Sequence, residues 1–372
     1  MALSSPRDAA TFEEETSSFD WTVLVGMLCV FFIGLVNIYS VTHGQPGAFW
    51  LRQLIFVGAG MGVIGLVTFF DYRIIQNFAY ILYGLNFLAL SAVEFIGVLK
   101  NGSRRWIDFG PIHYQPSETM KFLVILALAK YFHDKQSLQK LGWKELLVPG
   151  LIVGVPALLT IAQPDLGTGG HIMLIGATMI AFMGVKRKVI VTLALLGLIS
   201  IPLGWKYGLK QYQRQRVMTF IDPTKDPRGT GYNALQSMIA VGSGEFMGKG
   251  FEQGSQTQLE FTPESHTDFI FSVLAEEWGF LGAGVLFGLY MFIFGRCIRI
   301  ASLAREKFGS LVCVGVIGMI ISQIFINVAM VTGMFPIVGI PLPMVSYGGT
   351  SVLTTSLGFG LILSIGYRRT IF

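Results

Sequence analysis

The sequence predicts an all-α polytopic membrane protein with ten transmembrane helices, and three observations carry that prediction. A mean hydropathy of +0.61 with only 13% charged residues excludes an ordinary soluble domain. The apolar residues fall in repeated runs of about 17 to 25, the length that spans a bilayer as a helix, with its backbone groups paired internally. Lys and Arg crowd into alternate connections, as positive charge does on the cytoplasmic side of a membrane.

Residues 1–19 are polar and include Glu13, Glu14 and Glu15, so they read as a cytoplasmic tail rather than a cleavable signal. Residues 20–372 read as a single transmembrane domain. Its runs lie near 20–42, 50–70, 77–98, 117–132, 146–162, 168–185, 188–205, 267–295, 309–333 and 347–366. One side receives Arg73; Lys130 to Lys144; Lys186, Arg187 and Lys188; Arg296 to Lys307; and Arg368 and Arg369. The connections 42–49, 163–167 and 333–346 are nearly free of basic residues, so both termini are expected in the cytoplasm. The exception is Lys100, Arg104 and Arg105 in the connection 99–116. They read either as interfacial anchors or as counter-charges to a bound anion.

The longest polar segment, about 206–266, is expected outside the cell. Lys206–Arg216 mixes cations with aromatics as an interfacial helix does, and Asp222–Gly229 is rich in turn formers. Residues 233–241 read as a short helix. The glycines of Gly242–Gly250 suit either a plain loop or close backbone approach to a ligand. Cys29, Cys297 and Cys313 have no paired or metal-like spacing and read as packing residues. The net charge of +5 is what inward-facing loops provide and does not point to nucleic acid.

No Walker loop, HExxH or G-x-S-x-G motif is present. A chemical role therefore needs a substrate that arrives already activated, and a lipid-linked sugar diphosphate fits. Candidate residues gather in the outer half. Glu118 and Lys121 stand three apart and share a helix face, either as a local ion pair or as a diphosphate site. Asp165 either caps the sixth span or joins the site. Glu276 and Glu277 are adjacent, so at most one faces Asp268. Asp268 begins the eighth span beside Glu264 and His266, and ionisable groups at such a place are a functional site by default.

The stretch Leu259-Glu-Phe-Thr-Pro-Glu-Ser-His-Thr-Asp-Phe-Ile-Phe271 resembles the signature of the SEDS family (shape, elongation, division and sporulation), in its RodA branch. The resemblance extends through Asn101–Ile107, Gln115–Lys121, Gln163–Gly167, Gly231–Ser237, Ala275–Gly279 and Ser346-Tyr-Gly-Gly349. It implies a peptidoglycan glycosyltransferase of the bacterial cytoplasmic membrane, with its active site outside. Such an enzyme polymerises lipid II during cell elongation together with a class B penicillin-binding protein, a transpeptidase. It also implies Asp268 as the essential acid, with Glu118 and Lys121 as the paired residues on the fourth span; Arg104, Arg105, Asp165, His266, Glu276, Glu277 and Ser346 are further candidates for substrate binding or support. A divalent cation, Mg²⁺ or Mn²⁺, is an open expectation; no other cofactor is expected. A lipid II flippase is the alternative, although a translocase should carry ionisable residues through the midplane. Two departures stand out: Glu245 where the family usually has Gly, and Thr262 where Leu is common.

Overall fold

The computed structural model describes residues 19–43, 48–100, 103–108, 113–135, 140–208, 211–226, 229–258 and 266–368. Helices stand at all ten expected positions: α1 (Trp21–Thr42), α2 (Phe49–Phe69), α3 (Tyr72–Ile96), α4 (Pro116–Asp134), α5 (Trp143–Ala162), α6 (Leu166–Met183), α7 (Arg187–Leu203), α11 (Ile270–Ser302), α12 (Lys307–Val331) and α13 (Gly349–Tyr367). Among the described residues eight of these are long and apolar enough to cross a membrane. The two that fall short are α4, which carries Glu118, Lys121, Lys130 and Asp134, and α7, which has 17 residues.

Local chemistry sets the boundaries. Asp20, Asp71 and Asp165 accept from Val23 N (3.4 Å), Arg73 N (2.9 Å) and Thr168 N (3.2 Å), pairing free N–H groups at the starts of α1, α3 and α6. The cap at Asp71 starts the third helix five residues before the apolar run near 77. Pro116 opens α4, where its missing N–H costs nothing.

The centre of the bundle is α12. It packs against α4, α6, α11 and α13, and both α12 and α4 are buried on most of their circumference. Around them α2 lies on α13, α3 on α4, α5 on α6, and α1 on α11. In contrast, α7 exposes apolar side chains such as Ile190, Leu195 and Leu198, the surface a peripheral helix turns to lipid.

The 99–116 connection departs from the all-helical expectation. Strands β1 (Val98–Lys100), β2 (Ser103–Asp108) and β3 (His113–Tyr114) form a small antiparallel ribbon in the order β1-β2-β3. The 206–266 segment contains α8 (Gln211–Ile221), α9 (Thr230–Ser243) and the short α10 (Ser255–Gln258). Residues 259–265, the first part of the signature stretch, lie outside the described residues.

The long helix α11 is broken. Gly279 has φ +64°, ψ −159°, so the ladder of hydrogen bonds stops there. At membrane depth the released groups need partners, and the glycine-rich loop supplies them. Lys249 N and Gly250 N donate to Glu276 O (2.9 Å) and Glu277 O (3.0 Å), while Phe280 N and Leu281 N donate to Glu245 O (3.0 Å) and Phe246 O (3.1 Å). The loop therefore approaches a helix, not a ligand. A methyl on Gly244 would lie 1.8 Å from Ala275 O, and one on Gly248 2.2 Å from Glu277 O. Glu245 has φ +48°, which explains why glycine suits that position; its carboxylate is exposed.

Substituting Gly244→Val or Gly279→Ala should abolish a monodisperse folded peak in detergent, because neither backbone can give way. Gly242→Ala, with open space around its Cα, should leave folding within about 1 kcal/mol of the parent. Size-exclusion profiles and thermal unfolding of the three variants check this.

Candidate active site

Asp268 does not lie in the first turn of the eighth helix, as the sequence suggested. Residues 266–269 form a turn, and α11 begins at Ile270. Four successive carbonyls in this turn each have a donor. Tyr347 N bonds His266 O (2.9 Å), the Ser346 hydroxyl bonds Thr267 O (2.6 Å), Asn327 Nδ2 bonds Asp268 O (2.8 Å), and Ser272 N bonds Phe269 O (2.9 Å). Asn327 also donates to Ile340 O (2.7 Å), tying α12, the turn and the 336–343 stretch together. The backbone that carries Asp268 is thus fixed from three sides, while its side chain keeps intermediate exposure.

Gln53, 1% exposed in the apolar α2, anchors the Ser346 turn in its turn. Its Nε2 donates to Ser346 O (3.1 Å), and its Oε1 accepts from Gly348 N (3.2 Å). The sequence reading passed it over; the signal was a lone amide inside an apolar run, which has to find partners there. The His266 ring stands between Phe49 (4.8 Å between centroids) and Tyr347 (5.8 Å).

A second polar group lies at the N-terminal ends of α4 and α6. Glu118 and Lys121 form a buried ion pair, with both carboxylate oxygens 2.8 Å from Nζ. Asp165 caps α6, lies 3.7 Å from the Arg105 guanidinium, and accepts from Gln115 Nε2 at 3.4 Å. Arg105 also donates to Pro164 O. Adjacent strand residues point to opposite faces, so Arg104 turns away. It is exposed and donates to Glu94 O (3.1 Å).

One stretch of chain joins the two groups. A methyl on Gly167, just after Asp165, would lie 2.6 Å from Val338 O; a methyl on the next residue, Gly339, would lie 3.1 Å from Asp268 Oδ2. Gly339 has φ +74°, so this close passage is built for glycine. Arg216 of α8 donates to Ile337 O (3.3 Å), bringing the 206–266 segment to the same place.

Glu276 and Glu277 sit elsewhere. Glu276, 0% exposed, meets Lys249 Nζ at 2.7 Å and accepts from Gln256 N at 3.0 Å, which locks the loop onto α11. Glu277 accepts from the Ser40 hydroxyl of α1. Among the described residues no three His, Cys, Asp or Glu side chains gather as a metal site.

These features define a multi-pass helical membrane protein in which polar side chains converge on one fixed carboxylate-bearing turn. Comparison then gives the lineage. The cell cycle protein family comprising FtsW, RodA and SpoVE matches residues 17–371, and the chain belongs to that family. It is 37% identical to the peptidoglycan glycosyltransferase MrdB of Escherichia coli K12, over 94% of both chains. It is 35% identical to the stage V sporulation protein E of Bacillus subtilis, over 95% of this chain and 98% of that one. Among solved structures it resembles a chain of a peptidoglycan synthase complex that coordinates polymerization and crosslinking (TM-score 0.82, 30% identity, 95% and 98% coverage). It also resembles the rod shape determining protein RodA of Thermus thermophilus (TM-score 0.71, 27% identity, 95% and 98% coverage).

Removing one partner of the Glu118–Lys121 pair strands a buried charge, at about 3–5 kcal/mol. Glu118→Gln and Lys121→Met should each lower thermal stability, and the double variant should lose far less than their sum. A double-mutant cycle by thermal unfolding measures the coupling; strict additivity would show that the pair does not interact.

Proposed function

We propose that this chain is a peptidoglycan glycosyltransferase of cell elongation. It joins lipid II units into glycan strands at the outer face of the bacterial cytoplasmic membrane, in company with a class B penicillin-binding protein. The observation that carries the reading is the Asp268 turn, with its four carbonyls bonded and its carboxylate at the passage of Gly339. The relatives' names support the reaction class, and the likeness to a synthase-complex chain supports the partner.

In this reading all ten long helices cross the membrane, both termini are cytoplasmic, and the α8–α10 segment lies outside. The charged α4 can do so because Glu118 and Lys121 neutralise each other inside the bundle. Alkaline phosphatase fused after Gly229 should be active and after Arg305 inactive; the reverse pattern overturns this topology.

The reaction needs a base, a leaving-group stabiliser and exact alignment of two lipid-linked sugars. The Asp268 carboxylate takes the proton of the 4-hydroxyl of one disaccharide as that oxygen bonds the anomeric carbon of the other. The bond from that carbon to the diphosphate breaks, and polyprenyl diphosphate leaves with the electron pair. Arg104 and Arg105 of β2 are the cations offered to the diphosphate, Arg104 exposed and bonded to Glu94 O, Arg105 engaged by Asp165. Lys121, 2% exposed and chelated by Glu118, acts from the interior by holding charge in place. Ser346 and His266 brace the Asp268 turn, and Glu276 and Glu277 brace α11. If Mg²⁺ or Mn²⁺ takes part, Asp268 is the residue that would hold it, and the ion would supply neutralisation of leaving-group charge.

Asp268→Asn keeps the size of the side chain and removes the base. The variant should reach the membrane and bind its partner normally, while lipid II polymerisation falls by ~10²–10⁴-fold. Gel separation of glycan products from the purified complex decides it; near-parent polymer yield would overturn the mechanism.

A further inference from the structure

One buried imidazole lies beside the second polar group without a role in the site as described. His171 of α6 is 1% exposed. Its Nε2 is 2.7 Å from Ser322 Oγ and 3.2 Å from Met319 O, both on α12. A carbonyl can only accept, so Nε2 carries the proton and Nδ1 keeps its lone pair. Among the described residues Nδ1 has no hydrogen-bond partner.

The complementary group is close by. Gly315 of α12 meets both α4 and α6, since a methyl there would lie 2.4 Å from Ile125 Cγ2 and 3.0 Å from Met179 Sδ. Lys121 is one turn before Ile125 and His171 two turns before Met179, towards the same end of the bundle. An ammonium has three N–H donors, and the two Glu118 oxygens, each 2.8 Å away, take up two of them. A second open acceptor is on α12: Gln323 Oε1 is buried without a partner among the described residues, one helical turn on from Met319, whose carbonyl meets His171. One donor and two acceptors therefore remain where α4, α6 and α12 pack together.

We propose that His171 is a positioning residue for Lys121. Its Nδ1 lone pair receives the third N–H of the ammonium through one ordered water, whose other hydrogen goes to Gln323 Oε1. Unmatched polar groups in a dry interior are costly, and a buried water with two to four polar partners relieves them. The bridge holds the Lys121 charge against α6 and α12 as well as against Glu118. It thereby fixes the direction from which that charge acts on the substrate site. The effect on turnover rests on the glycosyltransferase reading; the bridge itself does not.

Two isosteres separate this from a merely structural tie between α6 and α12. In His171→Asn the side-chain oxygen sits near the Nδ1 position, keeping the acceptor; in His171→Gln the amide nitrogen sits near Nε2, keeping only the donor to α12. In lipid II polymerisation by the purified complex, kcat of His171→Gln should fall about tenfold below that of His171→Asn, with similar KM, the scale of one buried hydrogen bond. Equal rates or the reverse order overturn the proposal. Thermal unfolding without substrate gives the second arm. His171→Asn should be the more stable variant in the parent background, and that advantage should disappear in Glu118→Gln/Lys121→Met, where the pair is replaced by neutral groups. An advantage that persists unchanged there also overturns it, and because this arm reads no product, it stands whatever the enzyme's reaction proves to be.

Discussion

Every backbone polar group at membrane depth has to find a partner inside the protein, and the architecture follows from that requirement. An unbroken α11 would satisfy it alone. The break at Gly279 leaves Glu276 O, Glu277 O, Phe280 N and Leu281 N without helical partners, and the Glu245–Gly250 loop supplies all four. The Glu245–Gly250 loop is therefore bound into the bundle as a replacement for missing helix. Gly244 and Gly248 are required there because side chains would push the two backbones apart. The same requirement governs the Asp268 turn, where the carbonyls of residues 266 to 269 draw donors from α11, α12 and the turn before α13.

Charges are handled in a comparable way, and the contrast with Asp268 is informative. Glu118 is matched by Lys121, Asp165 by Arg105, and Glu276 by Lys249. At the other end of the bundle Asp20 meets Arg296 at 2.7 Å. Burial alone would raise the Asp20 carboxyl, yet hydrogen bonds from Thr22 and Arg296 and the Arg296 charge hold it below the ordinary value. These pairs make helix contacts permanent. At Asp268 it is the main chain that Asn327 holds, and the side chain lies at intermediate exposure beside a glycine. A carboxylate on a fixed backbone suits a group that must meet a substrate repeatedly in one geometry.

The two polar groups have different tolerances. Around Asp268 the alignment depends on single amides: Asn327 bonds Asp268 O and Ile340 O, and Gln53 bonds Ser346 O and Gly348 N in the turn before α13. Around Lys121 it depends on a charge pair whose members are three residues apart on one helix. The first arrangement transmits the packing of α2, α12 and α13 to the carboxylate; the second starts from two side chains of α4. The Val338–Gly339 passage between Gly167 and Asp268 is where the two meet.

Much of this was legible in the amino-acid sequence, for a definite reason. Span positions, the Glu118–Lys121 pair and the cap at Asp165 depend on neighbours within four residues, whose relative placement helix geometry dictates. The motifs of the family were likewise plain in the chain. What the sequence could not determine were partners far apart along it. Ser40 and Glu277 are 237 residues apart, Gln53 and Ser346 293, and His171 and Ser322 151. No local rule assigns Glu276 to a lysine in a loop, turns Arg105 inward and Arg104 outward, or makes the Gly242–Gly250 glycines a docking surface for a broken helix. Those outcomes belong to the tertiary structure, because only packing decides which distant groups share a dry interior and must satisfy one another.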